Sequence, residues 1–208
     1  HGGGEQGQVG QVRVGHGDRA LMDFADVALG NCPLARAAVS HPDLPNLSLL
    51  TAPMRLPPHV TAGSIRALLR TARDRYDYIF IDCPAGLGPG FQLATCGADR
   101  ALVVATNDAS SLRDAQRAVE ELYHLRQVHL VMNRIQPKLL RELRTTIDDA
   151  MDAAGLPLIG VIPEDRRVIL AANMGRPLIL EGRRGAANAC LNIAKRIEGH
   201  RVPIMRIR

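Results

Sequence analysis

The sequence predicts an α/β fold, a doubly wound and mostly parallel sheet with helices on both faces. Three observations lead there. Four short apolar runs read as buried strands: Tyr76 to Asp82, Arg100 to Thr106, Val128 to Asn133 and Leu156 to Pro163. Helical patterns of about ten or more residues lie between them, and alternation at that length argues for parallel βαβ units. The runs are nearly uniform rather than alternating, which fits strands covered on both faces.

The other elements follow in order. Asp18 to Leu29 sets Leu21, Phe24, Val27 and Ala28 at helical spacing, with Asp18 as cap and Gly30 as stop. Asn46 to Thr51 reads as a short strand. Thr61 to Asp74 is helical, with Ile65, Leu68 and Leu69 on one face. Further helices are predicted over Ser110 to Leu125, Lys138 to Ala154, Asp165 to Met174 and Gly185 to Ile197. Residues 1–17 are Gly-rich, lack periodicity and read as a flexible or foreign segment. Residues 18–199 read as one domain and 200–208 as a tail.

Composition narrows the function classes. The 208 residues are long enough to bury a sizeable core, and 46% hydrophobic with 23% charged residues is ordinary for a globular protein. No apolar run approaches the roughly 18 residues of a membrane span. The net charge is +5, carried almost entirely by arginine, since Lys138 and Lys195 are the only lysines. Aromatics at 3% give no stacking platforms, so the charge does not make nucleic acid the main partner. Cys32, Cys83, Cys96 and Cys190 have neither C-x-x-C nor zinc-finger spacing and read as free thiols.

In doubly wound sheets, ligands bind beyond the carboxyl ends of the strands. That directs attention to Asp82–Gly90, Thr106–Ser111, Asn133–Gln136 and Pro163–Arg167. Asp82 closes an apolar strand and precedes Cys83-Pro84-Ala85-Gly86. An acid so placed suits Mg²⁺, held directly or through water, and equally suits a turn or helix cap. Asn133 before Arg134 offers an amide to a base edge, or is a turn residue. Pro163-Glu164-Asp165 forms a loop that wraps a base or ribose, or Asp165 caps the next helix.

Together the strand–DCPAG, strand–NR and strand–IPED segments, each before a helix, resemble the MinD branch of the MinD/ParA ATPases. Tyr76–Gly88 (YDYIFIDCPAGLG) is similar to that family's Walker B strand and switch II. Thr106–Asp114 (TNDASSLRD) and Gly160–Leu180 (GVIPEDRRVILAANMGRPLIL) are similar to further family segments, as is Asp18–Thr51. The resemblance spans about Asp18 to Gly199. It implies ATP and Mg²⁺ as cofactors, with Asp82 as the catalytic Walker B acid and metal ligand. It implies that Pro84, Ala85 and Gly86 form the γ-phosphate switch. Asn133, Arg134, Pro163, Glu164 and Asp165 would then surround the adenine. It also implies that Asp108, Ser110, Ser111 and Asp114 lie on the surface for dimerisation and partners, although these four also suit a solvated helix start. The implied partners are a second copy on ATP, a MinC-like inhibitor, a MinE- or DivIVA-like regulator and weakly the inner membrane.

The sequence departs from the family in two places. It has no GKGGxGKT loop and no G-K-[ST] anywhere, and Gly2–Gly4 is not followed by lysine. Such a loop holds the phosphates by backbone N–H groups and lysine charge. The first strand and phosphate loop are therefore expected to be missing from a fragment or frameshifted translation, with hydrolysis lost and an apolar groove exposed. The tail HRVPIMRIR is interrupted by Pro203 and falls short of the basic amphipathic helix that lies on anionic lipid. Two other functions fit the sequence: a non-enzymatic partner-binding module, and a ParA-like partition ATPase that holds DNA through arginines.

Overall fold

Apolar spacing and capping chemistry fix most of the helices in the computed structural model, which describes residues 22–53 and 55–204. The predicted segment 1–17 and the predicted cap Asp18 lie outside the described residues, as do residues 205–208 of the tail. The described chain divides into two compact units, 22–99 and 100–204.

In the first unit, α1 runs Phe24–Ala28. Asp23 caps it: its Oδ1 accepts from the N–H of Ala25 and of Asp26, and Asp26 reaches back to the N–H of Asp23. Two orphan donors of the first turn are thereby satisfied. A short α2, Leu34–Ala37, leads to β1, Val39–His41, which pairs antiparallel with β2, Leu44–Leu49. The predicted strand at Asn46–Thr51 thus exists, shifted two residues toward the N-terminus. Helix α3, Ala62–Arg73, matches its prediction closely, with Thr61 and Ser64 forming a capping box. Its buried Ile65 and Leu69 join Ala25 and Val60 in the core of this unit. Each fully buried side chain of this size contributes about 1.5–3 kcal/mol. Helix α4, Pro89–Thr95, opens with proline at its first position, where the missing N–H costs nothing.

Tyr76–Asp82 is not a strand, and this corrects the sequence reading. The segment joins no sheet among the described residues, and Tyr78, Ile79, Phe80 and Ile81 are exposed, Phe80 at 77%. A strand exists only through a ladder partner. This stretch has strand composition and lacks that partner.

The second unit carries the parallel sheet. Strands β3 (Arg100–Ala105), β4 (Gln127–Ile135) and β5 (Leu158–Pro163) lie in the order β3-β4-β5, both pairs parallel. Helix α5, Ala109–Glu121, makes the crossover from β3 to β4. Central β4 holds the most buried large side chains of the described residues, Leu130, Met132 and Ile135. Val131 turns to the opposite face from Leu130 and Met132, where it packs with Ile159 of β5 and Ile193 of α9, Ala186–Ile197. Edge strand β3 is only half covered: Val103 and Ala105 are buried, whereas Leu102 and Val104 are exposed. Coverage of both faces therefore holds for β4 and fails for β3.

The single helix predicted over Lys138 to Ala154 is two. Helix α6 spans Pro137–Leu143 and α7 spans Ile147–Ala154. Arg144 between them adopts a left-handed conformation (φ 52°), and Thr146 begins a new capping box with Asp149. Threonine's competing side-chain hydrogen bonds win over continuous apolar spacing here. Helix α8 runs Arg166–Asn173, and a short 3-10 turn, Leu178–Glu181, leads toward α9. All four cysteines are free, as predicted.

Candidate nucleotide and partner site

The carboxyl ends of β3, β4 and β5 open onto one cleft of about 610 Å³. Thr106 and Asp108 line it from the β3 end, Arg134 and Gln136 from the β4 end, and Glu164 from the β5 end. Leu112 of α5, Leu139, Leu140 and Leu143 of α6, and Ala150 of α7 supply apolar wall. Asn107 donates from Nδ2 to Thr145 Oγ1 at 3.0 Å, tying the β3 end to the joint between α6 and α7.

Asn133 and Arg134 sit where the β4–β5 register shifts, between Met132 and Ile135. Such a bulge re-aims side chains at a strand end. The N–H of Arg134 donates to Asn133 Oδ1 at 2.9 Å, and Arg134 takes a left-handed backbone (φ 56°). Its Nε donates to Glu164 Oε2 at 2.9 Å. The N–H of Glu164 in turn donates to the carbonyl of Ile135 at 3.0 Å. The structure thus brings Asn133, Arg134 and Glu164 together across the β4 and β5 ends.

Asp165 follows directly and turns elsewhere. It caps α8 by accepting from the N–H of Arg167 at 3.0 Å, as the capping reading of the sequence had it. It also accepts from Arg167 Nε at 3.0 Å, from Arg167 Nη2 at 2.6 Å and from the N–H of Ala186 at 3.1 Å. The hydrogen bonds from the Arg167 guanidinium, aided by those backbone donors, hold its carboxyl well below the usual carboxylate range, against the opposing effect of desolvation.

Asp108 caps α5, accepting from the N–H of Ser111 at 2.9 Å and from the Thr106 hydroxyl at 2.5 Å. These bonds lower its pKa, the Thr106 hydroxyl most. Ser111 Oγ accepts from the N–H of Thr106, whereas Ser110 is exposed and Asp114 is 3.8 Å from Arg117 on the surface. An exposed pair of that kind is worth about 0–1 kcal/mol. Asp108 and Ser111 therefore shape the β3 end, while Ser110 and Asp114 lie on the outer face of α5.

Asp82, Pro84 and Gly86 belong to the 22–99 unit. All are exposed, in the stretch before α4, and Gly86 has φ 84°. Desolvation and then the charge of Asp82 raise the Cys83 thiol, which stays protonated at neutral pH. Among the described residues no three His, Cys, Asp or Glu side chains group as a metal cage. One carboxylate fits Mg²⁺ in its common form, where phosphate oxygens and water complete the octahedron. Among the described residues no helix is long and apolar enough to cross a membrane.

Sequence reasoning singled out the stretches that hold Asn107, Gln136 and Arg167 without giving these residues a role, and it missed Thr145 and Gly185. The first two were findable, since both flank strand ends already singled out. Arg167 was findable too, since it bonds Asp165 two residues away, whereas Gly185 meets Asp165 across a sequence distance that spacing does not encode.

A parallel sheet with helices between its strands and a cleft at the strands' carboxyl ends defines an α/β protein of the doubly wound kind, in which ligands bind at that edge. Comparison makes this particular. No family model matches the chain. It is 34% identical over 197 residues to the septum site-determining protein MinD of Synechocystis, covering 92% of this chain and 74% of that protein. It is 33% identical over 199 residues to MinD of Bacillus subtilis, covering 93% and 74%. Among solved structures it is similar to MinD in the MinC:MinD complex of Aquifex aeolicus, with a TM-score of 0.81 and 30% identity over 91% of this chain and 78% of that one. MinD of Pyrococcus horikoshii complexed with Mg-ADP shares the fold, with a TM-score of 0.73, 24% identity and coverage of 87% and 75%. The chain belongs to the MinD family.

Proposed function

We propose that this chain is a MinD-type ATPase subunit that places the division site, binding adenine nucleotide at the β4 and β5 ends and a MinC-like protein beside the β3 end. The observation that carries this reading is the Asn133–Arg134–Glu164 cluster in a chain 34% identical to a septum site-determining protein. Asn133 spends its carbonyl oxygen on the N–H of Arg134, which leaves its amide NH₂ to donate to a ring nitrogen of adenine. Pro163 and Glu164 form the facing side of the base site. Asp82 is the group that would hold Mg²⁺, directly or through water, and Pro84 to Gly86 follow it as the segment that senses phosphate. The ion, when bound, neutralises phosphate charge and orders the phosphate oxygens. Turnover also needs a phosphate cradle, for which the sequence contains no G-K-[ST] segment.

The partner surface runs from Asp108 to Asp114 along the first turns of α5, with Ser110 and Asp114 outward. Its support is the Aquifex relative, which forms a complex with MinC. Dimerisation on ATP, a MinE- or DivIVA-like regulator and peripheral attachment to the inner membrane extend the same reading.

Calorimetric titration with Mg-ADP and Mg-GDP tests the nucleotide half. The adenine nucleotide should bind more tightly, and Asn133→Ala should cut that preference by about tenfold, one lost base-reading contact. Equal binding of the two nucleotides would sink the assignment.

A further inference from the structure

We infer that Arg167 and Gly185 are positioning residues for the loop Pro163–Asp165, and that Asp165 is the loop's anchor rather than a nucleotide contact. The inference rests on the nucleotide reading above.

A carboxylate has about four acceptor positions. In Asp165 four are taken: Oδ1 by the N–H and Nε of Arg167, and Oδ2 by Nη2 of Arg167 and the N–H of Ala186. No lone pair is left for a ribose hydroxyl or a metal. The bond to Ala186 crosses 21 residues of sequence and fastens the loop to the first turn of α9. Helix α9 packs on β5 through Ile193 and Ile159, so the anchor is itself rigid. Gly185 makes the close approach possible: it has φ 52°, and a Cβ there would fall inside contact distance of Asp165 Oδ2 and Arg167 Nη2.

The loop is pinned at its other residue too, by the N–H of Glu164 on the carbonyl of Ile135. Its pose is therefore set before a ligand arrives, which lowers the ordering cost of binding. The charges match this purpose. Each loop carboxylate has its own arginine, Glu164 with Arg134 and Asp165 with Arg167. The two pairs are each neutral, and a neutral pair at this point suits an uncharged aromatic base. An anionic group would find no unmatched cation in the loop.

The test measures the dissociation constants of ADP and GDP, and the melting temperature, for the 208-residue chain and for Gly185→Ala, Arg167→Ala and Arg167→Lys. The preference for ADP over GDP should fall about tenfold or more in Gly185→Ala and Arg167→Ala, because sub-ångström misplacement of a positioning loop is that costly. Arg167→Lys should restore little of it, since an ammonium cannot span both carboxylate oxygens. That variant keeps the charge and carries the test if the alanine variants fail to fold. Variants that melt lower but keep the wild-type ADP:GDP ratio would overturn the inference and make the latch structural only. A wild-type chain that binds neither nucleotide overturns the nucleotide reading, and the positioning role with it.

Discussion

Asp165 shows what a single carboxylate can report about folding. Its native pKa lies below the unfolded value of about 3.9, so its bonds stabilise the native state fully above that pH, and the contribution is lost as pH falls from there through the lower native pKa. The unfolded chain binds the proton first, and stability therefore drops on acidification below about pH 4. Asp165→Asn should lower stability at pH 7 and flatten that part of the acid limb, readable by urea unfolding from pH 3 to 7. An unchanged acid limb would remove Asp165 from it. At this scale the sequence was informative wherever the partner is local. Asp165 could be read as a cap because it bonds an N–H two residues on, and Asp108, which caps α5 by bonding an N–H three residues on, lay in the stretch read as a solvated helix start. The Arg134–Glu164 and Asp165–Ala186 contacts join positions 30 and 21 residues apart, and no periodicity announces them.

Elements divide in the same way, into those settled by their own residues and those settled by neighbours. Helix α3 was legible because the cap Thr61, Ser64 and the apolar face of Ile65 and Leu69 all lie in one short stretch of sequence. The α6–α7 break was hidden by apolar spacing that continues across Arg144, although Thr146 and Asp149 spell the capping box once it is looked for. Tyr76–Asp82 has strand composition and no ladder, which no reading of its own residues can reveal. One packing element carries a sharp expectation. Gly160 of β5 lies under α9, and a Cβ there would collide with Cγ1 and Cδ1 of Ile193. Gly160→Ala should destabilise the 100–204 unit by about 1–3 kcal/mol, the usual range for overpacking. Combining it with Ile193→Val, which removes a methyl from the contact, should recover part of the loss in chemical denaturation. No recovery in the double variant would locate the strain elsewhere.

Across the whole molecule, large apolar side chains stay in contact with water in both units. Phe80 is 77% exposed in one, and Val104 at 58%, Ile169 at 59% and Met174 at 64% are exposed in the other. Singly such residues are ordinary, whereas β3, which among the described residues pairs only with β4, sets an open edge beside exposed Val104, and that is a pairing template. The chain should self-associate with rising concentration. Val104→Lys, which places a charge on strand β3, should shift light scattering toward the monomer more than Tyr123→Lys, which changes an even more exposed residue away from any strand. Equal effects would rule out edge pairing. The sheet also has a consequence during synthesis. Its central strand β4 needs β3 before it and β5 after it, so the ladder closes only once Pro163 has left the ribosome. Until then Leu130 and Met132, solvent-free in the finished fold, wait uncovered through the making of α6 and α7. A translational pause before residue 163 would hold the nascent chain in its most adhesive state, and chaperone contact should peak in that window.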